Sequence, residues 1–301
     1  MELKLQLHLH TIESKGTRIP RESVITPKNA IDIIKKNNID IVAITDHNST
    51  TAYSKIKQYA KKKGILVING IEANTLDGHL IGLGIDSGIE KRLNKNMSAL
   101  EVSDIIRSSG GEVYIPHPFD IRKEGLGIKI REIDGIVEVF NSMNIFGFED
   151  KFADIVASRL SLPKAVGADA HTPGMIDSGI TVIDSELDEV SILKSLRKGK
   201  TRFEDCRYMT LREMKEWVLE RTTSSYEFVV NNIRHDWIVD RWYMNIANFK
   251  TIKILEKKVL DFGVKNKKSK FWDFITYLSY ITANFYGQLS KKEFYGFIST
   301  L

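Results

Sequence analysis

The sequence predicts an α/β fold of alternating strands and helices, followed by an all-helical C-terminal extension. Short apolar runs alternate with amphipathic stretches up to about residue 204. All 6 prolines and 17 of the 20 glycines lie in this part, whereas all 4 tryptophans follow it. Because proline and glycine interrupt helices, their loss indicates long helices. We therefore divide the chain into an α/β domain, residues 1–204, and a helical domain, residues 205–301.

The α/β domain reads as repeated strand–helix units. Strands are expected at 3–9, 39–45, 65–71, 79–85, 112–116, 135–140, 164–168 and 179–183. The first helix begins after Thr26, a good N-cap that is followed by Pro27 at the first helical position. Further helices are expected at 50–63, 98–109, 149–160 and 188–199. Units of this length predict a mostly parallel sheet or barrel, with its chemistry at the carboxyl ends of the strands.

One connection is too short for a parallel crossover. Only six residues, ANTLDG, separate Glu72 from His79. A parallel connection needs a dozen or more, so the chain must return as a hairpin. We therefore expect His79 to lie beside Glu72, although it begins a strand.

The extension reads as three or four helices, at about 210–232, 235–260, 270–286 and 290–299. It has 16 Lys+Arg and 11 Asp+Glu, whereas residues 1–204 have 28 of each, so it carries the whole net charge of +5. Solvated helix faces explain this excess more simply than an anionic partner does. We expect its aromatic residues to form a core.

Several classes of protein are excluded. The single cysteine, Cys206, excludes an internal disulfide and thiolate zinc sites, and it favours a reducing compartment. No apolar run approaches the roughly 18 residues of a membrane span, and the first residues read as a strand rather than a signal peptide. We expect a cytoplasmic protein with no membrane partner; the sequence does not indicate an oligomeric state.

Histidines and carboxylates gather at the predicted strand ends. The run LKLQLHLHT ends the first strand, and its alternation predicts that Leu7 and Leu9 face the packed wall while His8 and His10 face the barrel mouth. Other strand ends carry the remaining polar residues: Asp46, His47, Glu72, His117, Glu138, Asn141, Asp169 and His171. So many imidazoles and carboxylates on one rim would repel or desolvate one another unless something neutralises them. Without thiolates, such a set suits Mn²⁺, Zn²⁺ or Fe.

These residues resemble the motifs of the PHP superfamily, named for polymerase and histidinol phosphatase. The motifs are HLHT, ITDHN, GIEAN with GHLIGLG, PHP and GADAH, in family order over residues 1 to about 200. The resemblance implies a distorted (β/α)7 TIM-like barrel with two or three divalent ions at its rim. It assigns one ion to His8, His10, Glu72 and Asp169. Glu72 would bridge to a second ion on His79 and His117, and His47 and His171 would belong to a third, with Asp46 orienting a ligand. Glu138 would either orient another ligand or simply end its strand.

The sequence departs from the family at Lys15. Many members follow HxHT with Ser-Asp-Gly, and the aspartate completes the third site; here Lys15 takes that position. Either the third ion is absent, or Glu13 or Glu22 replaces the aspartate, or Lys15 supplies the positive charge. We favour a replaced or weakened third site. Lys15, Arg18 and Arg122 are the expected substrate-binding residues, because cations near the rim suit a phosphate.

The resemblance implies a metal-dependent phosphoric ester hydrolase. The favoured substrate is a small phosphorylated metabolite or nucleotide, attacked by a metal-bridged hydroxide, with His47 or His171 as proton donor if the third ion is absent. One alternative is an exonuclease that holds single-stranded nucleic acid on the basic extension. The other is a metal-binding scaffold that has lost catalysis and docks partners through its helical tail.

Overall fold

In a computed structural model, residues 1–15, 21–122, 124–144 and 146–234 are described. Nine strands in these residues form one sheet, in the spatial order β7-β6-β5-β4-β3-β2-β1-β8-β9. They are β1 (Glu2–Gln6), β2 (Ile41–Ile44), β3 (Leu66–Asn74), β4 (His79–Leu83), β5 (Glu112–Ile115), β6 (Ile136–Asn141), β7 (Lys164–Gly167), β8 (Ile180–Asp184) and β9 (Thr201–Glu204).

The sheet is mixed, with two parallel groups of strands. Strands β1, β2 and β3 are parallel to one another, and so are β5, β6 and β7. Strand β4 runs antiparallel to β3, as the six-residue connection predicts, and it is also antiparallel to β5. Strands β8 and β9 continue the sheet beyond β1 as an antiparallel pair. The sequence did not indicate β9, a four-residue strand with only partly buried or exposed side chains.

The sheet curves into a nearly closed barrel, which confirms the predicted architecture. At one end of the seam, the Ala170 amide donates to the His8 carbonyl at 3.2 Å, and the His10 amide donates to the Ala170 carbonyl at 3.0 Å. Further along, the Val166 amide donates to the Thr181 hydroxyl, whose own hydrogen returns to the Val166 carbonyl. The loop after β7 is thereby fixed against the end of β1.

In the described barrel, five helices lie in the connections between strands. They are α1 (Pro27–Lys36), α2 (Thr51–Lys63), α3 (Ala99–Ser108), α4 (Phe148–Arg159) and α5 (Glu189–Arg197). The Thr26 hydroxyl accepts from the Asn29 amide at 3.2 Å, as expected of the N-cap of α1. Ser98 and Glu101 form a reciprocal capping box at the start of α3. These caps satisfy amides that would otherwise lack partners at the helix ends.

The strict alternation expected after β1 does not hold. Strand β1 ends at Gln6, and Leu7 packs with Leu3 and Leu5 in the cluster that includes Tyr114. Leu9 instead packs in a different cluster, with residues of α1 and α2. Since Leu7 and Leu9 lie in different apolar clusters, the predicted common orientation of Leu7 and Leu9 is wrong. The change of direction follows Gln6. The buried side-chain amide of Gln6 donates hydrogen bonds to the Ile176 and Ser178 carbonyls.

The extension begins by packing against the barrel. Its first helix, α6 (Leu211–Arg234), buries Met214, Trp217 and Val218 in the same cluster as Leu9. The tail helices expected at 235–260, 270–286 and 290–299 lie outside the described residues. Within the part of the chain that is described, no helix is both long enough and apolar enough to cross a membrane.

Candidate metal centre

Glu72 lies at the centre of the histidine cluster, in β3. Its carboxylate is buried, and its two oxygens face different histidines. Oε1 lies 3.0 Å from His79 Nδ1 and 3.2 Å from His117 Nε2. Oε2 faces three Nε2 atoms, at 3.0 Å from His10, 3.4 Å from His8 and 3.5 Å from His47. A carboxylate placed between two sets of imidazoles has the geometry needed to bridge two cations.

Asp169 and His171 complete the cluster from the loop after β7. Asp169 Oδ1 lies 3.2 Å from His10 Nε2 and 3.4 Å from His8 Nε2. The ring of His171 stacks on that of His10, with centroids 4.5 Å apart. All eight residues that the sequence suggested as metal ligands are therefore brought to one rim of the barrel.

The backbone is held in unusual conformations at two of these positions. His117 has φ of 27° and Asp169 has φ of 52°, both in the left-handed region that side chains with a Cβ rarely adopt. Such conformations cost about 1–3 kcal/mol each and are found mostly at functional sites. Here they turn the chain sharply where β5 and β7 end, so that both side chains reach the cluster.

Hydrogen bonds at the outer nitrogens fix the orientation of three imidazoles. Nδ1 of His8 lies 3.0 Å from Glu138 Oε1, and Nδ1 of His47 lies 3.2 Å from the Asn74 side-chain oxygen. Nδ1 of His171 lies 2.8 Å from the backbone carbonyl of Asp169. In each case Nδ1 donates to an oxygen, which leaves Nε2 as the nitrogen that would bind a metal.

Glu138 is the centre of the polar network behind the cluster. Besides holding His8, it accepts hydrogen bonds at 2.8 Å from the Tyr114 hydroxyl, the His117 amide and the Asn141 side-chain amide. The sequence left open whether Glu138 orients a ligand or simply ends its strand, and it gave no role to Tyr114 or Asn74. The pairing of β5 with β6 brings Tyr114 and Glu138 together, and the fold of the barrel brings His8 to them.

The donor set fits divalent cations. Four groups of three residues bring ligand atoms within 4.8 Å of one another: His8/His10/Glu72, His8/His117/Asp169, His47/Glu72/His79 and His10/His47/His171. Nε2 of His171, which belongs to the last of these groups, is buried and has no hydrogen-bond partner among the described residues. An imidazole nitrogen left without a proton partner in a buried polar cluster is the expected state of a metal ligand.

The charges of the cluster are strongly coupled. Burial opposes ionisation of Glu72, but the surrounding imidazoles of His47, His79 and His8 hold its pKa well below the ordinary value. Burial would lower the pKa of His10, but hydrogen bonds to Asp169 and Glu72 raise it to about 10. The protein without metal therefore keeps some of these histidines protonated to balance its carboxylates.

His47 and His171 behave differently. Burial, together with the neighbouring His10 charge, lowers the pKa of each to about 4. Both are neutral near pH 7, which is the form that binds metals.

Glu22 is the acidic residue of the loop after β1 that lies beside His47. Its Oε2 lies 3.6 Å from His47 Nε2. Burial opposes ionisation of Glu22, but the nearby His47, His171 and His10 lower its pKa. Glu13 instead forms an ion pair with Lys55 at 2.7 Å.

In the described structure, the side chain of Lys15 does not point towards the histidine cluster. Its exposed ammonium donates to the Thr51 hydroxyl at 3.4 Å. Asp46 lies next to this loop, where its carboxylate accepts from the Thr11 amide and hydroxyl and from the Ser14 hydroxyl. Since the Ser14 hydroxyl in turn accepts from the His47 amide, Asp46 orders the backbone around the ligands.

Arg122 is the one expected substrate-binding residue that lies near the ligands in the described part of the chain. Its Nη2 lies 3.7 Å from Asp169 Oδ2, while its Nε donates to Asp120 at 2.9 Å. Arg18 lies outside the described residues. The sequence did not single out Trp217 as a site residue, yet its ring lies 5.5 Å from that of His171.

Comparisons with known proteins agree with this geometry. A family model described as PHP-associated matches residues 149–201. An uncharacterized protein of Methanocaldococcus jannaschii is 33% identical over 156 residues, which cover 50% of this chain and 89% of that protein. The chain belongs to the PHP superfamily.

Other matches are more distant or shorter. A two-domain protein from Bacteroides vulgatus, which contains a predicted PHP-like metal-dependent phosphoesterase, has a similar fold, with a TM-score of 0.56, 16% identity and coverage of 72% of this chain and 69% of that one. The 3',5'-nucleoside bisphosphate phosphatase of Chromobacterium violaceum is 31% identical over 86 residues, 27% of this chain and 28% of that protein. Membership of the superfamily and the clustered ligands together imply divalent metal binding.

Proposed function

We propose that this PHP protein hydrolyses phosphate monoesters of small metabolites or nucleotides with two or three divalent ions, Mn, Zn or Fe. The arrangement around Glu72 is the main support for this proposal. One oxygen of Glu72 faces His79 and His117, and the other faces His8, His10 and His47. Bound ions would neutralise negative charge on the phosphoryl group. They would also lower the pKa of a bound water to about 7, so that hydroxide is available near neutral pH.

The residues of the chain have separate tasks in this proposal. His8, His10, Glu72 and Asp169 would hold one ion, and His79 and His117 would share Glu72 with a second. Glu22, His47 and His171 would hold a third, which is supported by the contact of Glu22 with His47. If only two ions bind, His47 or His171 would instead give a proton to the leaving alkoxide.

Arg122 would contribute to substrate binding. Its guanidinium is held by Asp120 and lies beside the Asp169 carboxylate. An arginine fixed in this way can donate two hydrogen bonds to a phosphate without first losing conformational freedom.

Substitution of the bridging residue tests the proposal. The Glu72→Gln protein keeps the shape of the side chain but loses its charge, so we expect lower metal content and at least about 100-fold slower hydrolysis of 4-nitrophenyl phosphate in Mn²⁺. Glu112→Gln is the matched control, because Glu112 begins β5 at the opposite end of that strand from His117. Undiminished hydrolysis by Glu72→Gln would contradict the proposal.

An exonuclease on single-stranded nucleic acid is the second candidate, supported by the net charge of +5 carried by residues 205–301. The same assay with single-stranded oligonucleotides separates the two. Faster cleavage of oligonucleotides than of nucleotides and sugar phosphates, with steep inhibition by salt, would favour the nuclease. If the fully metal-loaded protein turned over none of these substrates, the remaining candidate would be a metal-binding scaffold that docks partners through its helical tail.

A further inference from the structure

The first helix of the extension reaches the metal centre through Trp217. The indole Nε1–H of Trp217 donates to the backbone carbonyl of Glu22 at 2.9 Å. The same ring lies 5.5 Å from the His171 ring, at an angle of 59°. Trp217 therefore touches the backbone of one third-site residue and lies beside the ring of another.

Arg221 lies one helical turn after Trp217 and stacks on it. The guanidinium carbon is 4.0 Å from the centroid of the Trp217 ring. A residue at i+4 on a helix lies directly above residue i, which explains the stack. Among the described residues, the Arg221 guanidinium forms no hydrogen bond and no ion pair. A partly buried cation held in place but without an anion in contact is costly unless a ligand supplies the anion.

The charge of Arg221 interacts with the charges of Arg122 and of two acidic residues. Burial lowers the pKa of Arg221, the negative charges of Glu22 and Glu124 raise it, and the positive charge of Arg122 lowers it. Arg122 comes from the loop after β5, whereas Arg221 comes from α6. Two cations from separate elements thus act on the same region beside the ligand cluster, and an anion bound there would be attracted by both.

We propose that Arg221, stacked on Trp217, binds the phosphate group of the substrate, so that α6 forms one wall of the substrate site. Stacking fixes the plane of the guanidinium and leaves its N–H donors free along the edge, the arrangement suited to bidentate phosphate contact. This inference rests on the proposed phosphomonoesterase function and adds a substrate-binding residue that lies outside the recognised motifs.

Three variants test the role of Arg221. In Arg221→Gln we expect the KM for 4-nitrophenyl phosphate and the inhibition constant of inorganic phosphate to rise about 10- to 100-fold, with a smaller change in kcat and unchanged metal content. Arg221→Lys should recover part of the loss. Arg212→Gln is the control on the same helix, because Arg212 is exposed and pairs only with Glu216 in the described structure; it should match the wild type.

Calorimetric binding of inorganic phosphate to the metal-loaded protein gives a readout that does not depend on turnover. Weaker binding by Arg221→Gln than by Arg212→Gln supports the inference, even if the wild type hydrolyses no monoester and the proposed function fails. Turnover by the wild type with unchanged phosphate inhibition in Arg221→Gln overturns the inference alone. A wild-type protein that binds no phosphate when loaded with metal also overturns it.

Discussion

The carboxylate of Glu22 lies beside His47, one of the residues expected at the third site. The residue at the motif position, Lys15, hydrogen-bonds Thr51 instead. The sequence left Glu13 and Glu22 as equal alternatives, because both lie in the loop after β1. The contact with His47 favours Glu22, and the ion pair with Lys55 accounts for Glu13.

These two acids form a matched pair for an experiment at this scale. We expect Glu22→Gln to lose about one bound ion per chain, because the third group would keep only its histidines, whereas Glu13→Gln should lose none. Elemental analysis of both proteins, prepared at the same metal concentration, makes the comparison. Equal metal content in the two variants would show that Glu22 is not a ligand.

The strand ends determine where the ligands lie, and their polar residues could be read from the sequence. Short apolar runs followed by His, Asp or Glu identified β2, β3, β5 and β7, and the short turn before β4 predicted the return of His79. The network behind the ligands could not be read in this way. Tyr114 and Glu138 meet only through strand pairing, and the hydrogen bonds of Glu138 with Tyr114 and with His8 join residues far apart in sequence.

Contacts between residues distant in sequence also explain why the predicted common orientation of Leu7 and Leu9 is wrong. Alternation along one strand predicts the side a residue faces only while the strand continues. Strand β1 ends at Gln6, and the pairing of Leu9 with Ala170 takes over after it. Because Ala170 lies 161 residues further along the chain, the sequence pattern around Leu7 and Leu9 could not predict the change in side-chain orientation.

Strand β7 supplies a prediction at the scale of an element. A Cβ on Gly167 would clash with Glu138 Oε1 and would lie 2.7 Å from His8 Cβ. We therefore expect Gly167→Ala to lower the free energy of unfolding by about 1–3 kcal/mol, as overpacked cores do, and to weaken metal binding by displacing His8. Urea denaturation and metal titration measure the two effects.

Gly174→Ala is the control for this substitution. Its added Cβ would meet only the end of the Glu213 side chain, at 3.2 Å, which can move aside. We expect little change in stability or metal affinity. A Gly167→Ala protein as stable and as tightly metal-bound as Gly174→Ala would contradict the close packing of β7 against the ligands.

At the scale of the whole molecule, protons and metal ions perform the same electrostatic task. The hydrogen bonds of Glu72 and Asp169 outweigh burial and raise the pKa of His10 to about 10, and Glu72 likewise raises that of His117 to about 9. The unfolded chain has histidine pKa values near 6.5. A group with a raised folded pKa stabilises the fold fully below about pH 6.5, and this contribution disappears as the pH passes the folded pKa.

We therefore expect the metal-free protein to lose stability between pH 7 and 9, with Tm falling by about 5 °C, because deprotonation leaves the buried carboxylates of Glu72 and Asp169 uncompensated. Bound ions replace these protons, so the rise in Tm caused by stoichiometric Mn²⁺ should be larger at pH 9 than at pH 7. Thermal unfolding with and without metal measures both quantities. Since metal must displace protons at pH 7, calorimetry in buffers of different ionisation enthalpy should also detect their release. A metal-free protein whose Tm is constant or rises over this range would contradict the coupling of His10 and His117 to the two carboxylates.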